Sequence, residues 1–206
     1  MSGVFITFEG VDGAGKSTHL RWASQLLAKR GYRLTVTREP GGTELGEELR
    51  RLLLDQNRRI HPETETLLMF AARREHIEQI IRPALDRGEI VLCDRFTDAT
   101  FAYQGRGRGV HDDKLATLET WVQGTLQPDL TIYFDLPIEI AQRRLNASRE
   151  PDRFENEDAK FFDRVRAGYL ARAEKYPLRI RVIDASRPVA IIQNELEVFL
   201  ISTCQK

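Results

Sequence analysis

The sequence lacks the cysteine pattern and the long apolar run that would indicate a disulfide-stapled or a membrane-spanning protein. It has two cysteines in 206 residues, Cys93 and Cys204, and neither belongs to a C-x-x-C pattern. A disulfide framework and a cysteine metal site are therefore not expected, and a reducing cytoplasm is the predicted location. No apolar run approaches the ~20 residues that span a bilayer, so no membrane partner is expected.

Net charge is absent too, because 31 lysines and arginines balance 31 aspartates and glutamates. A general nucleic-acid-binding protein normally carries excess positive charge, so no nucleic-acid partner is expected. A local basic cluster would suit a small polyanionic ligand better. With 41% hydrophobic and 30% charged residues the chain is typical of globular proteins, and its length predicts one domain over residues 1–206.

The stretch from Val4 to Thr18 is the most informative part of the chain. It reads VFITFEGVDGAGKST and combines an apolar strand, a glycine-rich turn of the form G-x-x-x-x-G-K-[ST] and the start of a helix. Glycines let the backbone curl around phosphate oxygens, and the N–H groups at a helix N-terminus favour phosphate. We expect Lys16 to reach the β- and γ-phosphates and the Ser17 hydroxyl to ligate Mg2+. The predicted phosphate-binding residues are Gly10, Val11, Asp12, Gly13, Ala14, Gly15, Lys16, Ser17 and Thr18.

Five short β-branched segments are predicted to be strands: 4–8, 33–37, 90–94, 130–135 and 180–184. Nearly continuous apolar strands that alternate with helices predict a parallel sheet covered on both faces. Because a phosphate loop follows the first strand, we predict an α/β architecture with the P-loop NTPase fold. Ligands of such sheets bind beyond the carboxyl ends of the strands.

Polar residues follow these strands at the edge where a ligand is expected. Asp94 ends the third strand as in a Walker B strand, so it would approach Mg2+ directly or through water, while Arg95 would meet an acceptor phosphate. Arg38 follows the second predicted strand and is expected at the same edge of the sheet. On the helical stretch 44–54, either Arg50 or Arg51 could face the cleft, although a solvated helix face is equally compatible with each.

Two further helical patterns carry candidate base-binding side chains. Over residues 62–87, Phe70, Arg73 and Arg74 share a face, and an aromatic ring beside a guanidinium can stack on a nucleobase. A core position for the ring and surface positions for the arginines are the alternative. The next predicted helix carries hydrogen-bonding groups three or four residues apart, on Thr100, Tyr103 and Gln104. This helix is expected to end at the glycines 105, 107 and 109.

The segment from Ser148 to Asp158, SREPDRFENED, is too polar for a core element. A solvated surface loop is one interpretation. Behind a phosphate loop, the segment also fits a mobile lid over about residues 146–158, whose Arg149 and Arg153 close over a transferring phosphoryl group.

Together these pieces resemble bacterial thymidylate kinases, P-loop enzymes that phosphorylate dTMP to dTDP with ATP. The resemblance covers essentially the whole chain and rests on five stretches in the right order: FEGVDGAGKST, TREPGGT, LLMFAARREH, CDRFTDATFAYQGRGRG and DRFENED. It implies a cytoplasmic kinase that acts on ATP and dTMP in deoxynucleotide biosynthesis, with Mg2+ as cofactor and a homodimeric assembly.

The resemblance also implies individual roles. The dTMP phosphate would lie on Arg38 and Arg95, and the thymine ring on Phe70. Arg73, rather than Arg74, would bond the carbonyl oxygen of the base. Asp12 would lie at the sugar hydroxyl and in the magnesium shell, and Tyr103 would crowd the 2' position of the sugar. The implied acceptor residues are Asp12, Arg38, Glu39, Arg50, Phe70, Arg73, Arg95, Thr100, Tyr103 and Gln104.

On the donor side, the resemblance places Arg144 against the adenine, near Ala185 in the loop after the last strand. The implied catalytic residues are Lys16, Arg95, Arg153, Arg149 and Asp12. Some relatives place an arginine inside the phosphate loop, where this sequence has Gly13, so the lid would have to supply that cation. Arg153 is the safer candidate, because it stands in the DRFE stretch.

Two rival functions stay open at this level. A kinase for another nucleotide, or for a nucleoside, would share the phosphate loop. A GTPase-type switch would share it too, but that class normally identifies guanine through an N-K-x-D motif, which does not occur in this sequence.

Overall fold

A five-stranded, fully parallel sheet organises the chain, with the strand order β2-β3-β1-β4-β5. The computed structural model describes residues 3–145, 153–154 and 157–205. The strands are β1 (Val4–Glu9), β2 (Leu34–Arg38), β3 (Ile90–Asp94), β4 (Leu130–Asp135) and β5 (Ile180–Asp184). Each predicted strand is confirmed to within one residue at either end, and so is the α/β fold class.

Helices connect successive strands and cover both faces of the sheet. They are α1 (Lys16–Lys29), α2 (Glu44–Leu54), α3 (Pro62–His76), α4 (Arg82–Asp86), α5 (Thr97–Thr100), α6 (Asp112–Gln123), α7 (Ile138–Leu145), α8 (Ala159–Lys175) and α9 (Val189–Cys204). None of the described helices is long and apolar enough to cross a membrane.

Two predicted helices contain a π-helical segment. The pattern over 62–87 is not one α-helix, because the π-helical segment Ile77–Ile81 joins α3 to α4. A second π-helical segment, Phe101–Gly107, extends α5 and ends at Gly107, within the glycine run where the sequence predicted the helix to end. A Cβ at Gly107 would lie 2.7 Å from the Phe161 ring, so glycine is also needed there for close packing against α8.

The strand pleat sends alternate side chains into two apolar clusters. Ile6 and Phe8 of β1 pack into one cluster with residues of α1, α8 and α9, whereas Phe5 packs into the other with residues of α3 and α6. Both clusters are buried, and Cys93 belongs to the second.

The sheet register brings the carboxyl ends of the central strands together. Phe8 of β1 pairs with Asp94 of β3, and Glu9 pairs with Tyr133 of β4. The loops that follow β1 and β3 therefore start side by side, at the edge where a ligand binds in such sheets.

Candidate active site

The glycine-rich loop between β1 and α1 is shaped by close backbone packing. Gly13 has a φ of 83°, and a Cβ at that position would lie 2.5 Å from the carbonyl oxygen of Ala141 in α7. Any side chain at position 13 would therefore meet the backbone of α7 in a conformation that favours glycine. The packing of α7 is a physical reason why this chain has no arginine inside the loop.

Lys16 begins α1, and its side chain curls back over the loop. Its ammonium group donates to the carbonyl oxygens of Gly10, at 3.0 Å, and Val11, at 3.1 Å, and the residue is buried. Ser17 and Thr18 are exposed in the first turn. A cation and two hydroxyls thus lie at a helix N-terminus, where unpaired N–H groups favour anions.

Arg95 and Asp12 form an ion pair between the β3 end and the glycine-rich loop. Nη2 of Arg95 donates to Oδ1 of Asp12 at 2.8 Å, and Nζ of Lys16 lies 3.4 Å from the same oxygen. Burial by itself would raise the pKa of the Asp12 carboxyl, but the charges of Arg95 and Lys16 outweigh it and lower that pKa well below its usual range. Asp12 is therefore ionised at neutral pH.

Arg95 adopts an uncommon backbone conformation for a residue with a side chain, with a φ of 68°. Its N–H donates to the carbonyl oxygen of Phe8 at 2.9 Å, and its guanidinium lies 5.0 Å from the centre of the Tyr103 ring. A strained backbone at a strand end often marks a functional side chain. Here it directs the Arg95 guanidinium toward a cleft.

This cleft is open to solvent, and its cavity volume is about 100 Å3. It lies beside the Asp12–Arg95 pair, and α3, the α5 segment and the β2 end form its walls. The lining residues are Asp12, Glu39, Pro40, Arg50, Leu54, Met69, Arg73, Arg95, Phe96, Ala99, Thr100, Tyr103, Gln104 and Phe154.

Arg73 is the buried cation of the α3 wall. Its Nε donates to Oε2 of Glu39 at 2.7 Å, and its Nη2 donates to the Thr100 hydroxyl at 2.9 Å and to the Phe96 carbonyl oxygen at 3.1 Å. Its Nη1 has no hydrogen-bond partner among the described residues. A buried donor of this kind is costly unless something accepts from it, so Nη1 can serve a ligand oxygen in the cleft.

Arg74, the alternative to Arg73, points elsewhere. It donates to the Val122 carbonyl oxygen at 3.0 Å, pairs with Glu78 at 3.1 Å and is half-exposed at its side chain. It does not line the cleft.

Phe70 also departs from the sequence expectation. The residue is 1% exposed and packs in the core cluster that contains Phe5 and Phe96. Within the described part of the chain it is not among the residues that line the cleft, whereas its neighbour Met69 is. Its placement gives no support to the predicted stacking of Phe70 on a base.

The far end of the cleft is built around Glu65, a fully buried carboxylate that the motif reasoning did not identify. Oε1 accepts from Nε2 of Gln104 at 2.8 Å, and Oε2 accepts from Nη2 of Arg153 at 2.7 Å. Arg153 also donates to the Leu53 carbonyl oxygen at 2.7 Å, and its neighbour Phe154 lines the cleft. Arg153 is thus tied to the cleft wall; Arg149 lies outside the described residues.

The two remaining acceptor-side arginines differ in position. Arg50 lines the cleft and donates to the Pro40 carbonyl oxygen at 3.0 Å. Arg38 instead makes a bidentate contact with Glu47, at 2.9 and 3.0 Å, and its side chain is half-exposed. Arg51, the alternative to Arg50, is mostly exposed.

On the other side of the glycine-rich loop, Arg144 connects two of the predicted donor residues. It donates to the carbonyl oxygens of Gly13 and Ala185, both at 3.3 Å. The loop after β5 and the phosphate loop are therefore neighbours, with a guanidinium between them.

Asp94 and Ser17 are the predicted metal ligands. Oδ1 of Asp94 is buried and has no hydrogen-bond partner among the described residues, and Ser17 is exposed at the start of α1. Oxygen donors of this kind suit Mg2+, which usually binds one or two protein ligands together with waters and substrate phosphates. No group of three or more metal-ligating side chains occurs within the described ranges.

Glu9 is a second buried carboxylate that the sequence patterns did not single out. Its oxygens accept from the Phe96 N–H at 2.7 Å and from the Tyr169 hydroxyl at 2.9 Å, and the residue is 0% exposed. Burial, aided by the nearby charge of Asp98, raises the pKa of Glu9 to about 8. Because Phe96 follows Arg95, Glu9 holds the backbone next to the strained residue.

Comparison with known proteins identifies the family of this site. The family profile described as thymidylate kinase matches residues 8–196. The chain belongs to the thymidylate kinase family. The match runs from Phe8 to Leu196 and includes the glycine-rich loop, the cleft and the Arg144 contact.

Similar proteins support this membership over nearly the whole chain. The chain is 61% identical to thymidylate kinase of Nitrosomonas europaea over 192 residues, which are 93% of this chain and 89% of that relative. It is 59% identical to thymidylate kinase of Cupriavidus taiwanensis over 202 residues, 97% of this chain and 98% of the relative. The crystal structure of thymidylate kinase from Ehrlichia chaffeensis matches with a TM-score of 0.79 at 34% identity and covers 97% of this chain and 99% of that one.

We expect Glu9 to make stability depend on pH. The folded state keeps Glu9 protonated up to about pH 8, whereas the unfolded chain releases this proton near the ordinary value of 4.5. Between these values the folded state binds more protons, so Glu9 lowers the free energy of unfolding as pH rises, by up to about 1.4 kcal/mol per pH unit.

Glu9→Gln, which resembles the neutral acid, tests this expectation. Thermal unfolding of both proteins from pH 5 to pH 8.5 should show the variant gaining stability relative to the wild type as pH rises. A pH-independent difference would contradict the raised pKa. Glu157→Gln, at a part-buried glutamate paired with Arg108, is the control.

Proposed function

We propose that this chain is a cytoplasmic, ATP-dependent dTMP kinase that uses Mg2+ and produces dTDP and ADP. One observation carries the proposal: the Asp12–Arg95 pair joins a phosphate-binding loop to a separate cleft lined by polar and charged side chains. Two phosphate sites side by side are what a phosphoryl transfer between two nucleotides requires. The family and the names of the relatives favour dTMP as the acceptor.

On the donor side, the loop N–H groups and Lys16 would bind the ATP phosphates. Arg144 and the backbone at Ala185 would lie against the adenine, since Arg144 contacts both the glycine-rich loop and the loop after β5. The proposed donor set is Gly10, Val11, Asp12, Gly13, Ala14, Gly15, Lys16, Ser17, Thr18, Arg144 and Ala185.

On the acceptor side, Arg95 would bind the dTMP phosphate, and Arg73 and Gln104 would bind the edge of the base. The carboxylate of Asp12 is ionised and accepts hydrogen bonds only, so it suits a sugar hydroxyl as a partner. Arg50, Glu39, Thr100 and Tyr103 complete the wall around the substrate. Arg38 would have to leave Glu47 in order to reach the phosphate.

Ser17 and Asp94 would hold the Mg2+. When bound, the ion neutralises charge on the phosphates. The buried, unpartnered oxygen of Asp94 is the observation that fits this assignment.

The transfer itself needs positioning more than covalent chemistry by the protein. A phosphate oxygen of dTMP attacks the γ-phosphorus, a new P–O bond forms, and the bond to the bridging β-phosphate oxygen breaks with ADP as the leaving group. Lys16 and Arg95 place positive charge on the donor and acceptor phosphates, which would otherwise repel each other. Asp12 keeps Arg95 oriented for this task.

The proposed reaction is tested by an ADP-release assay with ATP and Mg2+. We expect turnover with dTMP that clearly exceeds turnover with dUMP, CMP, GMP or thymidine. Preference for another monophosphate would retain the kinase chemistry but overturn the acceptor assignment. Nucleotide hydrolysis without any acceptor would favour the switch-type alternative.

Arg153→Ala separates two roles for the arginine of the DRFE stretch. If its guanidinium acts on the transferring phosphoryl group, kcat should fall by about 10³ or more while the KM for dTMP changes little. If it serves only to hold Glu65 and Gln104, the KM for dTMP should rise with kcat nearly unchanged, and the catalytic assignment would be wrong. Arg58→Ala, an exposed arginine paired with Asp55, is the control and should behave as wild type.

We also propose a homodimer that forms through the helices α2, α3 and α6. These neighbouring helices expose large apolar side chains, of which Trp121 is 78% and Leu67 is 54% exposed, and such side chains normally mark contact surfaces when they form a patch.

Light scattering should show a species of twice 23.7 kDa. Trp121→Asp should shift it toward the monomer, whereas Leu178→Asp, at an exposed leucine away from these helices, should not; a monomeric wild type would exclude the dimer.

A further inference from the structure

Three residues of α3 spaced by four share one face: Glu65, Met69 and Arg73. Met69 and Arg73 line the cleft, and Glu65 contacts the lining residue Gln104. Side chains four apart on a helix are neighbours on one face. Glu65 accepts from Gln104, and Arg73 donates to Thr100, so both flanking residues are attached to the opposite wall. Met69 lies between these two contacts and lines the cleft.

Phe70 lies about 100° further round the helix and is directed to the core. The Cζ atom of Arg73 is 4.9 Å from the centre of the Phe70 ring, so the ring supports the guanidinium. Phe70 is thus a core residue beneath Arg73.

A planar base in this cleft has limited choices of orientation. Its polar edge needs the open Nη1 of Arg73 and the amide of Gln104, and both residues line the cleft. Its faces must then lie against apolar lining residues. On α3, the residue between the two polar contacts is Met69, whose thioether packs favourably on aromatic rings.

We propose that Met69, and not Phe70, forms the α3 wall against the face of the thymine ring. The inference rests on the proposed function and deepens it, since it assigns a specificity-determining residue of the same site. Met69 would present a flexible, polarisable thioether to the base, in place of the rigid Phe70 ring that the sequence motif suggested.

The composition of the chain supplies a direct probe. It contains two methionines, Met1 and Met69. In protein labelled with [13C-methyl]methionine, the Met69 resonance is identified by its loss in Met69→Leu. We expect saturating dTMP to move it through the ring current of the base, while the Met1 resonance and the spectrum with ATP alone stay nearly unchanged.

Kinetics provide the second arm. Met69→Ala should raise the KM for dTMP by about tenfold, because it removes apolar contact with the bound base, while kcat and the KM for ATP change by no more than about twofold. Leu178→Ala, at an exposed leucine outside the proposed dimer helices, should leave all three constants as in the wild type. Phe70→Leu should lower Tm more than it changes the KM for dTMP.

The outcomes separate this inference from the proposed function. Wild-type turnover of dTMP with an unmoved Met69 resonance, or a KM effect in Phe70→Leu that exceeds the effect in Met69→Ala, would overturn the assignment of Met69 alone. A wild type without dTMP turnover would overturn the proposed function and this inference with it.

Discussion

The ion pair between Asp12 and Arg95 is the interaction on which the rest of the site depends. It connects the loop after β1 to the end of β3, and these two segments carry the donor and acceptor phosphate sites of the proposed reaction. The pair is partly buried, and breaking it would leave a charge without its partner, so each residue fixes the other. The pair also draws Lys16 toward the same oxygen, which concentrates positive charge where two polyanions would meet.

Buried carboxylates give the surrounding walls their shape. Glu9 holds the backbone after Arg95, Glu39 holds Arg73, and Glu65 holds Gln104 together with Arg153. In each case an acidic side chain orients a group that faces the cleft, so the donors are positioned before a ligand arrives. Such preorganisation is how a protein lowers the barrier to phosphoryl transfer, since the reaction requires alignment and charge stabilisation.

The contrast between Phe70 and Met69 shows where motif reasoning reaches its limit. An aromatic residue three positions before an arginine suggests a stacking platform, and periodicity correctly places both residues on a helix. Periodicity does not reveal which side of that helix is covered by the sheet, however. Phe70 packs in the core because α3 lies over Phe5 and Phe96, whereas Met69, the residue before it, lines the cleft. Arg38 is a similar case, since its partner Glu47 is recognisable only once α2 has folded back over the turn.

By itself, the sequence determined the five strands, the glycine-rich loop with Lys16 and the polar residues at the strand ends. These features depend on local pattern and on the rule that parallel strands present their carboxyl ends to a ligand. It also determined that position 13 is a glycine. Only the tertiary structure decided why, since the backbone of α7 occupies the space of a side chain there. The tertiary structure likewise decided that Glu9 and Glu65 are buried among the residues that position the cleft wall. These outcomes depend on contacts between residues far apart in the chain, which no local pattern encodes.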